Sequence, residues 1–451
     1  MVDIIKVKGL YSMCVRRHAP LLTTIERYYH AKHLRTSRMF PGLVSSPPTR
    51  QQVDKSSRSQ FPETLCKSQK LMLQMGLIQG AAAGTFYTLP LLTRSLEKLK
   101  RVIDRTMQNI GAQKVTTPCL APASIWKASD RWDVMGSELL KLKDRQEKDL
   151  CLAPIGRKFR DEMRPKNGLL RGREFEMKDL YTFDASLKEA EVSYNEVCEA
   201  YLQMFKELHL DIVKVEADSG AMGGSKSHEY QLISEIGEDT ILRCTKCGTS
   251  ISQELADSHP ESKKCLQENC PGNWTETTGI EIAHTFLLGT KYSKIFKAQA
   301  LLANNKVVDM QMGCYGIGVS RLLASAIEVL STEEYIRWPQ LLAPHQVCII
   351  SQQTGHFFEE SLSIAESLQE ELLSKSHLHN EVILDDRHKL SIGKRLIICE
   401  QFGFPYLIIV GKKVQEATPL FEFVDVYKGE KQFLSREQIV SRLSQIDTVV
   451  V

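Results

Sequence analysis

The chain has 451 residues, of which 42% are hydrophobic and 25% are charged, a balance typical of globular proteins with two or three domains. No run of roughly 18 apolar residues occurs, which argues against a membrane-spanning protein. The 12 cysteines are scattered, and no apolar signal core precedes a small-residue cleavage site, so secretion and a disulfide framework are disfavoured.

The first 60 residues form a basic leader. They carry 11 Lys/Arg against 3 Asp/Glu, whereas the rest of the chain carries 47 against 52. An acid-poor segment that contains many Arg and Ser residues predicts an organelle transit peptide over residues 1–60, most simply a mitochondrial one. A disordered basic tail is the alternative interpretation.

Helical periodicity begins in the segment that follows. Apolar residues recur at helical spacing over Leu91–Ile110, and Gly111 is a suitable C-cap, so a long amphipathic helix is predicted there. A short strand is predicted over Val115–Pro118. Strand-like runs then alternate with turns until a second helix, which is predicted over Ser186–Leu210.

Two domains with different patterns are predicted. Over residues 61–340 the strands and helices are unevenly grouped, which favours an α+β domain with a mostly antiparallel sheet. Residues 341–451 alternate strands and helices and predict a separate α/β domain, in which QVCIIS, EVILDD, YLIIVG and FEFVDVY are the strands. Its helices are predicted at 358–374, 393–402 and 436–445.

The stretch RKFRDEMRPKNGLLRGREF concentrates charge around a turn. Phe159–Glu162 and Leu170–Phe175 are expected to pair as antiparallel strands, because Asn167-Gly168 supplies turn chemistry between them. Guanidinium groups bind phosphate oxygens through paired hydrogen bonds and stack on planar rings. The stretch therefore predicts either a phosphate site or a salt-bridged hairpin on a solvated face.

A second candidate for anion binding is the Gly-rich strand-to-helix turn GCYGIGVSR. Gly313, Gly316 and Gly318 allow another group to approach the backbone closely. Arg321 falls in the first turn of the helix, where anions are favoured. The turn is not a phosphate-binding P-loop, since no Gly-Lys-Ser/Thr follows it.

Together these features resemble the three signature motifs of class II aminoacyl-tRNA synthetases: a long helix and a strand ending in Pro118, then FRxE with a hairpin, then GxGxxR opening a helix. Over about residues 64–451, the chain is similar to prolyl-tRNA synthetases of the bacterial type, in the short form typical of mitochondria. The blocks that carry this similarity are IGAQKVTTPCLAPASIWKASDRWDVMGSELLKLKDR, RKFRDEMRPKNGLLRGREFEMKDLYTF, GAMGGSKSHEYQL, GIEIAHTFLLGTKYSKIF and MGCYGIGVSRLLASAIE.

This resemblance implies a function. A proline–tRNA ligase joins proline to ATP as prolyl-adenylate, with Mg²⁺ on the phosphates, and transfers proline to tRNA(Pro). The implied fold is a class II synthetase catalytic domain over 61–340 followed by an α/β anticodon-binding domain over 341–451. The resemblance also implies a homodimer, no membrane association and action in mitochondrial translation, in the matrix.

The resemblance further implies which residues form the ATP site. Arg160 would hold the α-phosphate, Arg321 would grip the γ-phosphate, and these two with Glu162 form the expected catalytic set. Phe175 would stack on adenine, whose amino group Glu162 would contact. Arg171 would meet the outer phosphates. The complete expected ATP-binding set is Arg160, Glu162, Arg171, Phe175, Gly318 and Arg321.

Two further binding surfaces follow from the resemblance. Glu281 and His284 are expected near proline, with Cys314 as a small wall residue, although a core histidine and simple packing are the plain alternatives. In the anticodon-binding domain the stretch ILDDRHKLSIGKRLIICEQFGFPYLIIVGKK is similar to the family. The expected tRNA contacts, for which a solvated face is the alternative, are Asp386, Arg387, Lys394 and Arg395.

The chain departs from the family pattern after Pro154. Related enzymes read LGPTHEE and continue for roughly 25–30 residues before the hairpin, whereas this chain reads CLAPIGRKFRDE. The missing segment includes a Thr-x-Glu element that grips the substrate's amino group. The alternative function is therefore a catalytically impaired isoform, or a non-catalytic protein that binds tRNA or another nucleic acid on the same scaffold.

A short cysteine-containing insert is expected over about residues 238–278, too short for an editing domain. Its cysteines follow a C-x2-C-x17-C-x4-C pattern. Two CxxC pairs would be a strong zinc signal, and the longer second spacing departs from that pattern. A structural Zn²⁺ site and a loop with residual thiols both remain open, and the residues concerned are Cys244, Cys247, Cys265 and Cys270.

Overall fold

The structure, a computed structural model, describes residues 3–5, 35–36, 65–134, 139–153, 156–258, 265, 267 and 269–451. The leader predicted over 1–60 lies outside these residues, apart from 3–5 and 35–36. The chain divides into two compact units, one built mainly from Lys100–Val329 and the other mainly from Tyr87–Leu99 and Leu330–Val451. Within the described residues, no helix combines the length and apolar character needed to cross a bilayer.

The helices are distributed over the whole described chain. They are α1 (Lys67–Gln74), α2 (Pro90–Asn109), α3 (Ala123–Ala128), α4 (Arg131–Val134), α5 (Leu187–Glu207), α6 (Gln253–Ser258), α7 (Ser293–Phe296), α8 (Val319–Leu330), α9 (Phe358–Leu373), α10 (Ile392–Gln401) and α11 (Arg436–Leu443).

The strands up to residue 318 are β1 (Asp3–Ile5), β2 (Ile78–Ala82), β3 (Thr85–Thr88), β4 (Gln113–Lys114), β5 (Leu120–Pro122), β6 (Lys141–Lys143), β7 (Asp149–Leu152), β8 (Arg157–Phe159), β9 (Glu174–Asp184), β10 (Ile212–Glu216), β11 (Lys226–Ile233), β12 (Asp239–Cys244), β13 (Ser250–Ser252), β14 (Trp274–Gly289), β15 (Gln299–Leu301), β16 (Val307–Asp309) and β17 (Gln311–Gly318). Those after residue 340 are β18 (Val347–Ile350), β19 (Val382–Asp385), β20 (Tyr406–Ile409), β21 (Phe421–Asp425) and β22 (Glu430–Leu434).

The first unit contains a ten-stranded sheet, in the order β11-β10-β13-β12-β14-β17-β9-β1-β4, with β8 paired to β9. Its pairings are antiparallel except for β1 with β9 and β10 with β13, which confirms the predicted mostly antiparallel sheet. Helix α5 packs on its centre, where Tyr194, Tyr201 and Phe205 are buried. The long central strands β9, β14 and β17 therefore form a rigid floor.

Local signals account for helix α5 of this unit and for helix α2, whose residues are divided between the two units. Helix α5 begins after Ser186, whose hydroxyl accepts a hydrogen bond from the backbone N–H of Glu189, the usual role of a serine N-cap. Helix α2 matches its prediction closely, and Gly111 adopts the left-handed conformation (φ 74°) expected after a helix end. The strand predicted over Val115–Pro118 is wrong: the ladder is limited to β4, which ends at Lys114.

The arginine-rich hairpin forms, and its ladder overlaps the predicted segments only at their outer ends. Strand β8 pairs Arg157–Phe159 with the first residues of β9, so Phe159, Glu174 and Phe175 of the predicted segments are in the ladder and their inner residues are not. Residues 160–173 form a wide loop, closed by a hydrogen bond from the Arg160 N–H to the Arg173 carbonyl at 2.9 Å. The turn itself is as expected, because Asn167 and Gly168 both have φ near 60°.

The second unit contains a five-stranded sheet in the order β19-β18-β20-β21-β22. The first three strands are parallel and the last two are antiparallel additions. Four of these strands match the predicted ones, and β22 was not predicted. Helices α9, α10 and α11 also match their predictions. The apolar core beneath them includes Val347, Ile349, Leu368, Leu384, Ile408 and Phe423.

One buried ion pair stands out in this unit. The Lys98 ammonium lies 2.6 Å from a Glu381 carboxylate oxygen, and neither side chain is exposed. It also donates to the Ala343 carbonyl at 2.7 Å, while Arg94 binds the second Glu381 oxygen at 2.8 Å. Burial lowers the pKa of Lys98 to about 8, against the raising effect of Glu381. The pair is enclosed by packing, which identifies it as structural.

Candidate active site

A cleft of about 330 Å³ lies in the first unit, over the central strands β9, β14 and β17 of the sheet. The wide loop 160–173 forms one wall, the Gly279–His284 part of β14 forms another, and the start of α8 closes it. A cleft of this volume accommodates a nucleotide or a part of one. All residues of the expected ATP set line it: Arg160, Glu162, Arg171, Phe175, Gly318 and Arg321.

Arg160 stands at the mouth of the cleft, immediately after β8. Its guanidinium lies over the Phe175 ring, 5.3 Å from the ring centroid, and the side chain is exposed. Among the described residues it makes no side-chain hydrogen bond or ion pair. An arginine held by one ring contact keeps all its donors available for an incoming anion.

Glu162 and Arg171 form the second feature of the cleft wall. The Glu162 carboxylate accepts hydrogen bonds from Arg171 Nε at 2.9 Å and from the Arg164 backbone N–H at 2.9 Å. These bonds, the one from Arg171 first, lower the pKa of Glu162. Arg171 also binds Glu238 at 2.7 Å. The carboxylate stays ionised and in place as an acceptor inside the cleft.

Arg321 enters the cleft from a remote part of the chain. It is the third residue of α8, a 12-residue helix, so it projects where the helix dipole favours anions. Its Nε donates to the Leu170 carbonyl at 2.9 Å and its Nη1 donates to the Glu281 carbonyl at 3.0 Å. These bonds tie the helix start to the hairpin loop and to β14, and they orient the guanidinium.

The sheet register explains why the cleft floor is open. On β17, Gly316 and Gly318 stand opposite Asp179 and Met177 of β9. Because glycine has no Cβ, no side chain projects from this face of the strand at these two positions. Gly318 lines the cleft, whereas Gly316 lies outside its lining. The absence of a side chain at Gly318 therefore leaves room for a ligand on this side of the cleft, in line with the Gly-rich pattern.

Glu281 and His284 form a hydrogen-bonded pair on β14. His284 Nδ1 lies 2.9 Å from a Glu281 oxygen, and Nε2 lies 2.6 Å from the Ser227 hydroxyl. The imidazole also stacks on Phe286, with ring centroids 3.9 Å apart. Burial raises the pKa of Glu281, but the His284 hydrogen bond and the Arg321 charge outweigh it and leave that pKa lowered. Both residues line the cleft.

Sequence reasoning missed Glu229, which lies across the ladder from His284 on β11. Burial, followed by the charge of Glu281, raises the pKa of Glu229 to about 7. Its carboxylate accepts from Gln231 Nε2 at 2.8 Å and lies 4.0 Å from His284 Nδ1. A period-two pattern was available as a signal, since Ser227, Glu229 and Gln231 alternate along one strand face.

Cys314 is not part of the cleft lining. Its thiol packs among Leu288, Tyr292 and Phe286, and burial raises its pKa to about 12. It does lie on the same sheet face as His284, because it stands opposite Phe286 in the β14–β17 ladder. The structure thus makes it a packed neighbour of the cleft rather than a lining residue. Cys244, Cys247, Cys265 and Cys270 also lie outside the cleft lining.

The expected tRNA-contacting residues differ in burial and in hydrogen-bond partners. Arg395 is fully buried and donates to the carbonyls of Asp385 at 3.2 Å and Ser351 at 2.5 Å, so its expected phosphate contact is wrong. Arg387 is mostly buried, with its guanidinium on the Asp385 carboxylate. Asp386 accepts a hydrogen bond from the Thr36 hydroxyl at 3.0 Å. Lys394 is half-buried and keeps surface access.

Two family models match the chain. The tRNA synthetase class II core domain (G, H, P, S and T) matches residues 137–330, and the anticodon binding domain matches residues 346–446. The first match contains all three arginines of the cleft, Arg160, Arg171 and Arg321. The fold and the matches define the chain as a class II aminoacyl-tRNA synthetase.

Similar proteins show to which family of aminoacyl-tRNA synthetases the chain belongs. A human protein named "Probable proline--tRNA ligase, mitochondrial" is 42% identical over an alignment that covers 98% of this chain and 100% of the human protein. A Schizosaccharomyces pombe protein of the same name is 36% identical, with 82% and 91% coverage. The chain belongs to the proline–tRNA ligase family of aminoacyl-tRNA ligases.

A solved structure shares the fold. It is the prolyl-tRNA synthetase from Cryptosporidium parvum complexed with halofuginone and AMPPNP, which matches with a TM-score of 0.66. The match covers 84% of this chain and 76% of that chain at 16% identity. The class II synthetase fold expected from the sequence is thereby confirmed.

The human alignment also bears on the expected missing segment. It is 484 positions long, whereas this chain has 451 residues, so the human protein has at least 33 positions with no counterpart here. The junction expected after Pro154 lies outside the described residues, since Pro154 and Ile155 fall in a gap between β7 and β8.

Proposed function

We propose that this chain activates proline with ATP in the cleft and transfers it to tRNA(Pro). The observation that supports the proposal most is the convergence of Arg160 and Arg321, 161 residues apart in sequence, on one cleft. Phe175 and Glu162 line the same cleft. A protein that only bound nucleic acid would have no need of such a nucleotide-sized site.

The geometry suggests how ATP would lie. Adenine would stack near Phe175, next to the carboxylate of Glu162, whose lowered pKa keeps it an acceptor for the exocyclic amino group. The α-phosphate would meet Arg160, and the γ-phosphate of a bent triphosphate would meet Arg321. Arg171, between two carboxylates at the wall, would meet the outer phosphates.

The chemistry needs positive charge at these positions. The proline carboxylate attacks the α-phosphorus, a bond to the bridging oxygen of pyrophosphate breaks, and negative charge develops on the phosphoryl oxygens. Guanidinium groups that are already oriented stabilise that charge without reorganisation. Alignment of two substrates in one cleft supplies a further share of the rate.

Mg²⁺ accompanies ATP in this class, and carboxylate oxygens are the ligands it prefers. Among the cleft carboxylates, Glu238 is paired with Lys166 and Arg171, which leaves Asp239 and Glu281 as the residues that would help the phosphates to hold the ion. Bound there with the phosphates, Mg²⁺ would neutralise part of the triphosphate charge. These carboxylates would hold the ion beside the arginines.

Proline would occupy the part of the cleft bounded by Glu281 and His284. Its secondary ammonium carries one positive charge, which the Glu281 carboxylate in the cleft lining would meet; Glu229 lies on the neighbouring strand, opposite His284. His284, which is hydrogen-bonded to Glu281 and Ser227, would hold the Glu281 carboxylate in position. Cys314 would contribute only through packing behind this region.

The remaining assignments follow from the family. We place catalysis in residues 61–340, with a short insert at 238–278, and anticodon binding in residues 341–451, where Lys394 offers a surface charge to tRNA. The mitochondrial names of the relatives support a mitochondrial protein. We infer the matrix as its site, residues 1–60 as its transit segment, and a homodimer as its assembly.

A second function is favoured by the length of the human alignment. If the missing positions include the Thr-x-Glu element, this chain would keep its ATP cleft but bind proline weakly. It would then act as a catalytically impaired isoform or as a tRNA-binding protein on the same scaffold. The two functions differ in chemistry and share tRNA binding.

Proline-dependent exchange of labelled pyrophosphate into ATP distinguishes them. The ligase requires exchange that depends on proline and is lost in Arg321→Met. Binding of tRNA(Pro), measured on the same preparation, serves as the folding control. Retained tRNA binding without exchange would reject the ligase function for this chain and select the second function.

A further inference from the structure

Four cysteine thiols converge outside the cleft, at the ends of β12 and β14. The Sγ atoms of Cys244 and Cys270 lie 3.7 Å apart, and those of Cys247 and Cys265 lie 3.4 Å apart. All four sulfurs lie within 4.8 Å of one another. Two separate segments of the insert therefore bring their four thiols to one point.

Their spacing fits a metal centre. A tetrahedral Zn²⁺ with Zn–S bonds of about 2.3 Å places its sulfurs about 3.8 Å apart. The two pairs at 3.4 and 3.7 Å are close to that edge length. We propose that Cys244, Cys247, Cys265 and Cys270 bind a structural Zn²⁺ as four thiolates.

The backbone around the first cysteine pair is shaped for such a centre. The Lys246 N–H points at the Cys244 sulfur at 3.4 Å, an orientation that stabilises a thiolate ligand. Gly248 adopts a positive φ of 75°, and its N–H donates to the Cys244 carbonyl at 3.2 Å. The C-x2-C-G segment thus folds as a tight turn with both thiols on one side.

The second pair is brought to the first by a close backbone approach. A Cβ at Gly272 would lie only 2.3 Å from the Cys244 sulfur, so only glycine fits beside the thiol there. The Cys265 N–H donates to the Gly272 carbonyl at 3.4 Å, and Cys270 is held by a turn from Gln267. Glycine at this position permits the four thiols to close on one point.

The insert has only a small apolar cluster of its own. The cluster consists of buried Leu242, Ile251 and Ala256, with Leu255 and Trp274 partly buried against it. Beyond this cluster, the insert is held by the pairing of β12 and β13 with the main sheet. Because a structural Zn²⁺ contributes its binding energy to folding, the centre would fasten the insert at the Cys244–Trp274 end of the β12–β14 ladder.

The site is independent of the ligase reaction, since its thiols lie outside the cleft lining. The test is the zinc content of the full-length chain after expression with zinc and exhaustive dialysis, measured by inductively coupled plasma mass spectrometry. We expect one zinc per chain. The variants Cys265→Ser and Gly272→Ala should lose it, whereas Cys119→Ser, which changes an exposed cysteine elsewhere, should retain it.

A second measurement avoids variants that fail to fold. The native chain stripped of zinc and loaded with Co²⁺ should show the thiolate charge-transfer band and the visible bands of a tetrahedral sulfur site. Absence of these bands, together with a zinc-free native chain, would overturn the proposal. So would disulfides Cys244–Cys270 and Cys247–Cys265 in the freshly purified protein, detected by peptide mass spectrometry, or equal zinc loss in Cys119→Ser.

Discussion

Replacing Arg160 by methionine isolates the contribution of one guanidinium to nucleotide binding. The exposed side chain contacts the Phe175 ring and makes no ion pair among the described residues, so its structural role is small. A cation–π contact at an exposed site contributes about 0.5–1 kcal/mol. Methionine keeps the apolar stem against the ring, and unfolding of Arg160→Met should therefore occur close to the wild-type temperature.

The effect on ATP should be much larger. A hydrogen bond to a charged group contributes about 1.5–3 kcal/mol, and each 1.4 kcal/mol changes a dissociation constant about tenfold. Arg160→Met should thus raise the Kd for ATP by roughly 10–100-fold, as measured by isothermal titration calorimetry. ATP binding is the chosen assay because it does not depend on how well the chain binds proline.

Arg164→Met is the matched control. Arg164 is an exposed arginine on the same loop that does not line the cleft, so this variant removes the same charge from the same hairpin. We expect ATP affinity within about threefold of wild type, since long-range charge effects are screened by salt. Equal affinity of the two variants for ATP would refute the assignment of Arg160 to the phosphates.

Three further predictions concern other groups. Glu229→Gln should remove a pH dependence of the folding stability. Because the Glu229 pKa is raised to about 7, the free energy of unfolding of the wild type falls by at most about 3 kcal/mol as pH rises from about 4.5 to 7. Thermal melts at pH 5 and 8 should show this loss only in the wild type. Lys98→Met leaves Glu381 buried with one fewer partner and should cost on the order of 3 kcal/mol in urea unfolding; an unchanged midpoint would contradict a structural pair. Arg395→Met should lower the melting temperature, because it removes buried hydrogen bonds. Lys394→Met should weaken tRNA binding in gel shifts without changing the melting temperature. The reverse pattern would restore Arg395 as a tRNA contact.

Much of the fold could be predicted from local signals. The helix after Ser186 has a capping residue and apolar residues at helical spacing, and the Gly-rich strand GCYGIG runs directly into a helix, as observed in β17 and α8. Strand β22 escaped prediction because its side chains are mostly exposed at the sheet edge, where the alternation that marks a half-buried strand is absent.

The parts that could not be predicted depend on partners distant in sequence. Where the β8–β9 ladder begins and ends is set by pairing across a 14-residue loop, and the turn at Asn167 fixes only the tip of that loop. Arg395 carries the same charge as its neighbour Lys394, and only the packing of α10 decides which one is buried. Glu229 acquires its raised pKa from burial and then from the charge of Glu281, both products of the β11–β14 ladder.

A crystal structure of the chain with a non-hydrolysable ATP analogue and proline is the decisive test of the proposed ATP site. We expect one bent nucleotide in the cleft, with its α-phosphate within hydrogen-bond distance of Arg160 and its γ-phosphate within hydrogen-bond distance of Arg321. A nucleotide bound elsewhere, or one that touches neither guanidinium, would contradict it.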